Sequence, residues 1–393
     1  MKRFLLFALV ATMFAACVTD NPFEEENNNG ANPGQGVLAG TVPNNEIWYT
    51  STDGNIVMPN ESFKNQFGGV VSNTYEDGKG VMTFNGEITS ISISAFSGIA
   101  TLSNIALPNS VTSIGADAFE ECNSLESITI PDSVTSIGEY AFYYCTSLTS
   151  VTIPNSVTSI GVCAFRGCSS LTSITIPNSI TSIGECAFNY CSSLTSVAIG
   201  NSVTSIGYAA FDSCTSLTSV TIGNSVTSIG SYAFYCCSSL TSVTIPDSVT
   251  EIGVGAFANC ESLTAFYGEF ASADNRCLII NGVLNSFAPA DLTEYSIPDS
   301  VTSIGSSAFN GCDNLVSIVI PDSATSIGGY AFWYCSSLAS IYCKPTTPPT
   351  GGSSMFDFNA SDRKIYVPTA SVDAYKAASY WSDYASDIVG YDF

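Results

Sequence analysis

Hydrophobic and polar residues alternate along most of this chain in a pattern that repeats every 23 residues. In one unit, Leu148, Val151 and Ile153 are spaced L-x-x-L-x-L, as expected for a β-strand whose alternate side chains enter a core. A second short apolar edge follows at Val157 and Ile160. Because a unit of this length cannot bury its own apolar face, the pattern predicts a solenoid in which each coil stacks on the next. No unit contains a long helical pattern, so the return side of each coil is expected to combine short strands with 3₁₀ turns.

Two columns of residues mark the register of the repeat. A proline or glycine ends the successive strands, at Pro108, Pro131, Pro154, Pro177, Gly200, Gly223, Pro246, Pro298 and Pro321. The isoleucine of the second edge recurs at Ile91, Ile114, Ile137, Ile160, Ile183, Ile206, Ile229, Ile252, Ile304 and Ile327.

The solenoid is expected over residues 85–343, between two segments that do not repeat. Residues 46–84 are expected to cap the first coil, with short strands at EIWYT and NIVMP, because an open end would expose an apolar face and an unpaired edge. Residues 344–393 are expected to cap the other end, since the repeat dissolves after Cys343. There the pattern predicts a last strand at KIYVP and a helix capped by Ser371.

The register breaks once, where six extra residues fall between two prolines of the column. The insertion lies near residues 270–291 and contains Asn281-Gly282 between two apolar runs. Both residues tolerate a positive φ, so the pair predicts a β-hairpin. An insertion in a solenoid can lie on a binding face or can be a tolerated bulge, and both interpretations stay open.

The N-terminal residues have the pattern of an export signal. Residues 1–16 combine the basic pair Lys2-Arg3 with a short apolar run, which predicts a signal peptide. Small residues before Cys17 resemble a bacterial lipobox, which implies lipidation of Cys17, although an ordinary signal peptide cut nearby is the alternative. Residues 17–45 predict a flexible linker. Its acidic residues at 24–26 resemble an outer-surface export signal or are simply solvated charges.

Composition excludes several classes of function. The net charge is −24, from 10 basic and 34 acidic residues, which disfavours a nucleic-acid partner or docking onto an anionic membrane. Histidine is absent, so no histidine triad, histidine general base or histidine-ligated zinc can form. Carboxylate pairs could still hydrolyse glycans, but the acidic residues are scattered over turns and linker. The sequence therefore predicts no enzyme and assigns no catalytic, cofactor-binding or metal site.

The repeat unit LTSVTIPxSVTSIGxxAFxxCxS resembles the BspA-like leucine-rich repeat of surface lipoproteins of the Bacteroides type, over about residues 46–393. The closing segment from Ile365 to Val389 is similar to the tail of Bacteroides members. The resemblance implies a leucine-rich-repeat solenoid that is secreted or surface-bound. Together with the lipobox-like residues before Cys17 and the acidic residues at 24–26, it predicts an exported chain that is lipid-anchored to the outer membrane and faces outward. It also implies a binding or adhesin role for some members, and it carries no catalytic motif.

A column of nine cysteines follows the Ala-Phe pair of the units. Neighbouring side chains in a stack point the same way, which strains a disulfide and does not converge on a metal, so buried free thiols that fill space are predicted. Cys163, Cys186 and Cys236 lie outside this column, and their redox state stays open. The column comprises Cys122, Cys145, Cys168, Cys191, Cys214, Cys237, Cys260, Cys312 and Cys335.

Two polar columns have a structural and a functional interpretation. The Asx residues that follow each strand, such as Asn155 and Asn178, could bind calcium, but Asp and Asn exchange freely there, which favours turn capping. Threonines such as Thr149 and Thr152 form rows on the strands. Regular threonine rows can bind ice, whereas the preference of threonine for exposed strands is the simpler explanation.

Variable positions between the fixed glycine and cysteine carry many aromatic residues. Tyrosine and tryptophan suit contact surfaces because they bury a large area and still offer a hydrogen bond. These rings are therefore candidate ligand-binding residues, while packing between coils is an equal alternative. The candidates are Tyr140, Tyr143, Tyr144, Tyr190, Tyr208, Tyr232, Tyr235, Tyr330, Trp333 and Tyr334.

The predicted function is a non-enzymatic cell-surface scaffold that binds a host or bacterial surface protein or a glycan along an extended face. It would contact the membrane only through its N-terminal lipid and is expected to be a monomer. The first alternative is a structural cell-envelope spacer that self-associates. The second is a glycan-acting enzyme, which the scattered carboxylates disfavour.

Overall fold

A computed structural model describes residues 38–393 and shows a stack of short coils held by parallel β-ladders. The longer strand of each coil pairs in register with the same strand 23 residues away, for example Ile174 with Val197. These strands, whose outward side is called the strand face below, are Leu102–Ala106, Ser127–Thr129, Ser150–Val151, Ser173–Ile176, Ser196–Ile199, Ser219–Thr221, Ser242–Thr244, Ala265–Tyr267, Glu294–Ser296, Ser317–Ile320 and Ser340–Cys343. The predicted leucine-rich-repeat fold class is confirmed.

A second ladder of two-residue strands forms another side of the coil. Each strand ends in an isoleucine of the predicted column and pairs in parallel with its neighbour, as Ser182 and Ile183 do with Ser205 and Ile206. The strands are Ser90–Ile91, Ser113–Ile114, Ser136–Ile137, Ser159–Ile160, Ser182–Ile183, Ser205–Ile206, Ser228–Ile229, Glu251–Ile252, Ser303–Ile304 and Ser326–Ile327. Their isoleucines point inward and close the core on this side.

The third side, called the turn face below, consists of the segments between the fixed glycine and cysteine. Consecutive turns bond three residues back, as the amide of Cys145 does to the carbonyl of Phe142 at 3.2 Å. Neighbouring coils are also joined here, since the amides of Tyr140 and Tyr144 donate to the carbonyls of Val162 and Arg166 at 2.9 and 2.8 Å. Backbone hydrogen bonds therefore connect the coils on every side of the stack.

The core is a column of phenylalanine rings that runs along the solenoid. Phe142 stacks on Phe165 with ring centroids 5.1 Å apart and planes 8° apart, and Phe165 stacks on Phe188 at 5.4 Å and 3°. All three side chains are fully buried, together with the alanine that precedes each of them. From Phe96 to Phe257, and again from Phe287 to Phe356, each coil contributes one ring that contacts its neighbours.

The N-terminal cap pairs antiparallel strands onto the first coil. Glu46–Ser51 lies between Lys79–Phe84 and Leu102–Ala106, and Val70–Glu76 forms the outer edge. A four-residue helix, Glu61–Lys64, buries Phe63 beneath this sheet. Its N-terminus is capped by the carboxamide of the residue before it, which accepts a hydrogen bond of 2.7 Å from the Phe63 amide.

The strand predicted at NIVMP is wrong, whereas the strand at EIWYT is present. The amide of Val57 donates to the Tyr49 hydroxyl at 3.2 Å, and its carbonyl accepts from the Asn73 carboxamide at 2.8 Å. Side chains therefore satisfy the backbone of this segment, and no neighbouring strand is left to pair with it.

The insertion forms the predicted hairpin and enters the stack. Cys277–Ile280 and Val283–Phe287 pair antiparallel around Asn281 and Gly282, whose φ angles are 52° and 78°. The second strand also pairs in parallel with Ser303–Ile304, so it takes the place of a two-residue strand in that ladder. The hydrophobic core divides into two clusters at this hairpin.

The coil geometry continues beyond Cys343, contrary to the prediction that the repeat ends there. The amide of Phe332 donates to the carbonyl of Met355 at 2.9 Å, as in the preceding coils. Phe356 continues the ring column by stacking on Phe332 at 5.3 Å. Met355 and Phe356 thus replace the Ala-Phe pair, which conceals this coil in the sequence.

The remaining residues close the end of the stack. The predicted strand is present as Lys364–Pro368, and a further strand, Ile388–Tyr391, pairs in parallel with it. The predicted helix is short, Val372–Ala377, between 3₁₀ turns at Thr369–Ser371 and Ser382–Tyr384. Ser371 does not cap this helix, because its hydroxyl donates instead to the carbonyl of Thr346 at 2.7 Å.

Candidate functional site

The ten candidate aromatic residues all lie on the turn face, outside the ring column. Six of them are exposed, with between 36% and 49% of their accessible surface retained, and the other four are half-buried. They form three groups along the stack rather than one continuous row. The exposed six are Tyr140, Tyr144, Tyr190, Tyr208, Tyr330 and Tyr334.

The first group joins neighbouring coils through an arginine. Tyr143 contacts Tyr140 and Tyr144 edge-on, with ring centroids 5.4 and 4.6 Å apart. The guanidinium carbon of Arg166 lies 6.0 Å from the ring centroid of Tyr143 and 5.7 Å from that of Tyr190. Both distances allow cation–π attraction, so the arginine links these rings into one surface, the first patch.

The second group is tied more closely to the scaffold. Tyr232 contacts Tyr208 and Tyr235 edge-on, at 5.9 and 5.5 Å between centroids. The Tyr235 hydroxyl accepts a hydrogen bond of 2.6 Å from the Asn259 carboxamide. Burial raises the pKa of Tyr235 to about 12, so this ring stays neutral and serves packing as well as any contact.

The third group contains a residue that sequence reasoning missed. Trp333 lies 4.2 Å from Tyr334 and 6.0 Å from Tyr330 between ring centroids. Phe358 stacks on Tyr334 at 4.7 Å and 12°, and 60% of its surface is exposed. It occupies the position of Tyr334 in the concealed coil. These four residues form the third patch.

Six of the candidate tyrosines have a left-handed backbone. Each coil has two such positions four residues apart, and the φ angles of Tyr140 and Tyr144 are both 54°. Gly167 fills the second position in the next coil, with φ 76°. A bulky residue with positive φ is uncommon and costs on the order of 1 kcal/mol or more. The inter-coil hydrogen bonds of these amides hold the conformation in place.

The cysteine column is buried along its whole length, and the thiols are free. The Cys145 sulfur donates to the carbonyl of Phe119 at 3.0 Å, and Cys191 donates to the carbonyl of Phe165 at 3.2 Å. Burial raises the pKa of the Cys191 thiol to about 12. Each such thiol therefore satisfies a backbone carbonyl of the coil before it and fills space beside the ring column.

Three cysteines outside the column, Cys163, Cys186 and Cys236, are also free and lie on the turn face. Cys163 is buried, whereas Cys186 and Cys236 are half-exposed. Burial, and then the neighbouring Cys163, raises the pKa of Cys186 to about 11. Burial likewise raises the pKa of Cys236. Neither Cys186 nor Cys236 therefore has an environment that activates a thiolate.

The polar columns form hydrogen bonds between coils. The Asn178 carboxamide oxygen accepts from the amide of Asn201 at 2.8 Å, which differs from the predicted capping of its own turn. The Thr149 hydroxyl donates to the carbonyl of Glu126 at 3.2 Å, and later threonines of that row do the same. Within residues 38–393, no three histidine, cysteine or acidic side chains converge on a possible metal position.

The expected signal peptide, the lipidated Cys17 and most of the linker at 17–45 lie outside the described residues. Among residues 38–393, no helix is long and apolar enough to cross a membrane. A further aromatic group, Tyr342, Tyr366, Tyr391 and Phe393, lies at one end of the strand face and was also missed by the sequence analysis.

Stacked 23-residue coils with parallel strands and a phenylalanine column define a leucine-rich-repeat solenoid. The chain belongs to the family described as BspA type leucine rich repeat region, which matches in six copies over residues 80–195, 135–264 and 284–380.

Two solved structures are similar to this chain. A leucine rich cell surface protein from Faecalibacterium prausnitzii is 28% identical with a TM-score of 0.54, and the match covers 88% of this chain and 95% of that one. A leucine-rich repeat protein from Bacteroides ovatus is 28% identical with a TM-score of 0.47, covering 82% of this chain and 90% of that one. No curated protein matches the chain significantly.

Proposed function

We propose that this protein is a non-enzymatic cell-surface scaffold that binds a surface protein or glycan through its turn face. The observation that carries the proposal is the clustering of exposed aromatic rings on the turn face, as in the first and third patches. Fixed residues of the repeat build the coil, whereas these side chains project from it. The left-handed backbone beneath them belongs to every coil, since Asp117 and Glu121 share it, so the exposed rings are what mark a contact surface.

The family and its relatives support a surface location. The family is built on a binding scaffold, and the Faecalibacterium relative is described as a cell surface protein. The predicted signal peptide and lipidated Cys17 would anchor the chain to the outer membrane, facing outward. Metabolic labelling with a fatty acid should mark the chain but not a Cys17→Ala variant. Digestion of whole cells with an external protease should remove the protein if it faces outward.

Solid-phase binding tests the proposed recognition. The purified chain is applied to immobilised matrix proteins and mucin glycans, next to variants in which the first or third patch is truncated. Tyr140, Tyr143 and Tyr144 are changed to Ala together, as are Tyr330, Trp333 and Tyr334. The expected result is a loss of binding of about tenfold or more for at least one of the two triple variants, because contact hot spots concentrate in such aromatic clusters.

A matched control occupies the same three positions one coil earlier. Asp117, Glu120 and Glu121 changed to Ala together should leave binding within about threefold, since these positions carry no ring. Unchanged binding by both patch variants, each folded by circular dichroism, would overturn the proposal. Self-association of the chain in sedimentation, with no ligand bound, would instead favour the structural spacer.

A further inference from the structure

The strand face changes from small to aromatic side chains near one end of the stack. In-register pairing places Ser296, Val319, Tyr342 and Tyr366 in one outward row across four neighbouring strands. Tyr366 stacks on Tyr342 with centroids 4.7 Å apart and planes 13° apart, so it covers one face of that ring. On the other side the row continues with the small side chains Val319 and Ser296, which leave a step beside Tyr342.

Aromatic and polar side chains turn this step into a groove of about 520 Å³. Tyr391 stands nearly perpendicular to Tyr342, at 71° and 5.3 Å between centroids, and Phe393 lies 5.0 Å from Tyr391. Asp322 and Lys344 contribute one carboxylate and one ammonium group to the lining. The groove is therefore half aromatic wall and half hydrogen-bonding rim, as in sites that bind small ligands.

The charges at the rim select the kind of ligand. The charged side chains of the lining are one acid and one base, which balance each other and offer a strong acceptor and a strong donor. The net charge of −24 disfavours an anionic ligand, and the balanced pair of Asp322 and Lys344 provides no local excess of negative charge to hold a cationic one. A neutral polyhydroxyl ring matches both halves of the groove, because its hydroxyls bond to the rim while its C–H face packs on the negative face of an aromatic ring.

We propose that this groove binds a neutral saccharide, with one pyranose ring seated in the step against Tyr342 and its hydroxyls bonded to Asp322 and Lys344. The site is separate from the turn-face patches, so the inference does not rest on the function proposed above. Its size accommodates a few sugar rings, and its open ends along the row allow a longer chain to continue over Val319 and Ser296.

Titration of the full chain with neutral tetrasaccharides tests the site, using cellotetraose, xylotetraose, mannotetraose and maltotetraose in calorimetry and ligand-observed NMR. At least one should bind with a Kd at or below the order of 1 mM. Tyr342→Ala should weaken that binding about tenfold or more, and Tyr342→Phe should keep it within about threefold. Val319→Trp should fill the step and abolish binding while leaving the thermal melt unchanged, because this side chain lies on the outer surface.

Tyr267→Ala is the matched control, since Tyr267 is exposed at an outward strand position of a separate sheet and does not line the groove. It should leave saccharide binding unchanged, as should the triple variants of the first and third patches. Absence of binding by all four sugars up to about 10 mM overturns the proposal. Equal affinity of the unaltered chain and the folded Tyr342→Ala and Val319→Trp variants overturns it as well.

Discussion

Alkaline pH is predicted to unfold this solenoid, because its buried cysteines must ionise in the unfolded chain but resist ionisation in the folded one. Burial raises the pKa of Cys122 and Cys191 from 9.0 to about 12. A group whose pKa is raised by folding holds its proton more tightly in the folded state. It therefore contributes stability that is fully present below pH 9 and is lost as the pH rises toward 12.

The size of the effect follows from these values. Between pH 9 and 12, each such thiol lowers the free energy of unfolding by roughly 1 kcal/mol per pH unit. Six other column thiols have their pKa raised by burial in the same direction, namely Cys145, Cys168, Cys214, Cys237, Cys260 and Cys312. Eight thiols together would remove on the order of 10 kcal/mol per pH unit, which is comparable to the whole stability of a typical domain.

Urea unfolding followed by circular dichroism at pH 8, 9 and 10, with a reducing agent present, measures this loss. Cys191→Ser keeps a hydrogen-bond donor beside the Phe165 carbonyl but does not ionise, so its unfolding free energy should fall less steeply by roughly 1 kcal/mol per pH unit. Buried tyrosines such as Tyr235, whose pKa is raised to about 12, are the same in both proteins and cancel in the comparison. A pH dependence that is identical in the chain and in the Cys191→Ser variant would refute the reasoning.

Two further predictions concern the scaffold. In a double-mutant cycle measured by urea unfolding, Phe165→Leu and Phe188→Leu should show a coupling energy of about 0.5–1.5 kcal/mol, because the two rings stack. Phe142→Leu and Phe188→Leu should be additive, because Phe165 lies between these two rings. Equal coupling energies in both pairs would contradict a column in which only neighbouring rings interact. Iodoacetamide at pH 8, followed by mass spectrometry of peptides, should modify Cys186 and Cys236 before any of the nine column cysteines. The reason is that, among the cysteines of residues 38–393, only these two are half-exposed. Early labelling of a column cysteine would instead show that the coils open locally.

Much of the fold follows from the sequence because the 23-residue period fixes which residues of neighbouring coils pair with each other. Each L-x-x-L-x-L strand and each two-residue edge lies where the periodicity places it, since one displaced residue would turn the whole apolar set outward. The errors at NIVMP and at the end of the repeat fall where that periodicity is missing or disguised. The backbone of Val57 forms hydrogen bonds with the side chains of Tyr49 and Asn73 instead of with a neighbouring strand. Met355 and Phe356 replace the Ala-Phe pair by which the other coils are recognised in the sequence.

The candidate surface was less accessible from sequence. The variable positions between the fixed glycine and cysteine could be recognised from the sequence. The left-handed backbone at Tyr140 and Tyr144 could not, because its usual signal is glycine, and glycine occupies the equivalent position in only some coils. Nor does the repeat show which rings meet, since the contact of Arg166 with Tyr143 and Tyr190 depends on the stacking of neighbouring coils. The groove beside Tyr342 could have been suspected from tyrosine at a strand position that earlier coils give to threonine.

The separation of the patches along the stack has a consequence for recognition. The amide of Asn259 donates directly to the carbonyl of Asn310, so seven coil steps separate the first patch near Tyr143 from the third patch near Trp333. At about 4.8 Å per coil, the two patches lie roughly 35 Å apart on one side of the solenoid. Neither patch alone offers the area of a standard protein interface. A ligand that repeats its own features, such as a polymeric glycan or a fibrous protein, can contact both patches at once, and the second contact then forms at a high effective concentration. A soluble fragment of that ligand too short to span the two patches is therefore expected to bind far more weakly than the intact polymer, whatever its chemistry.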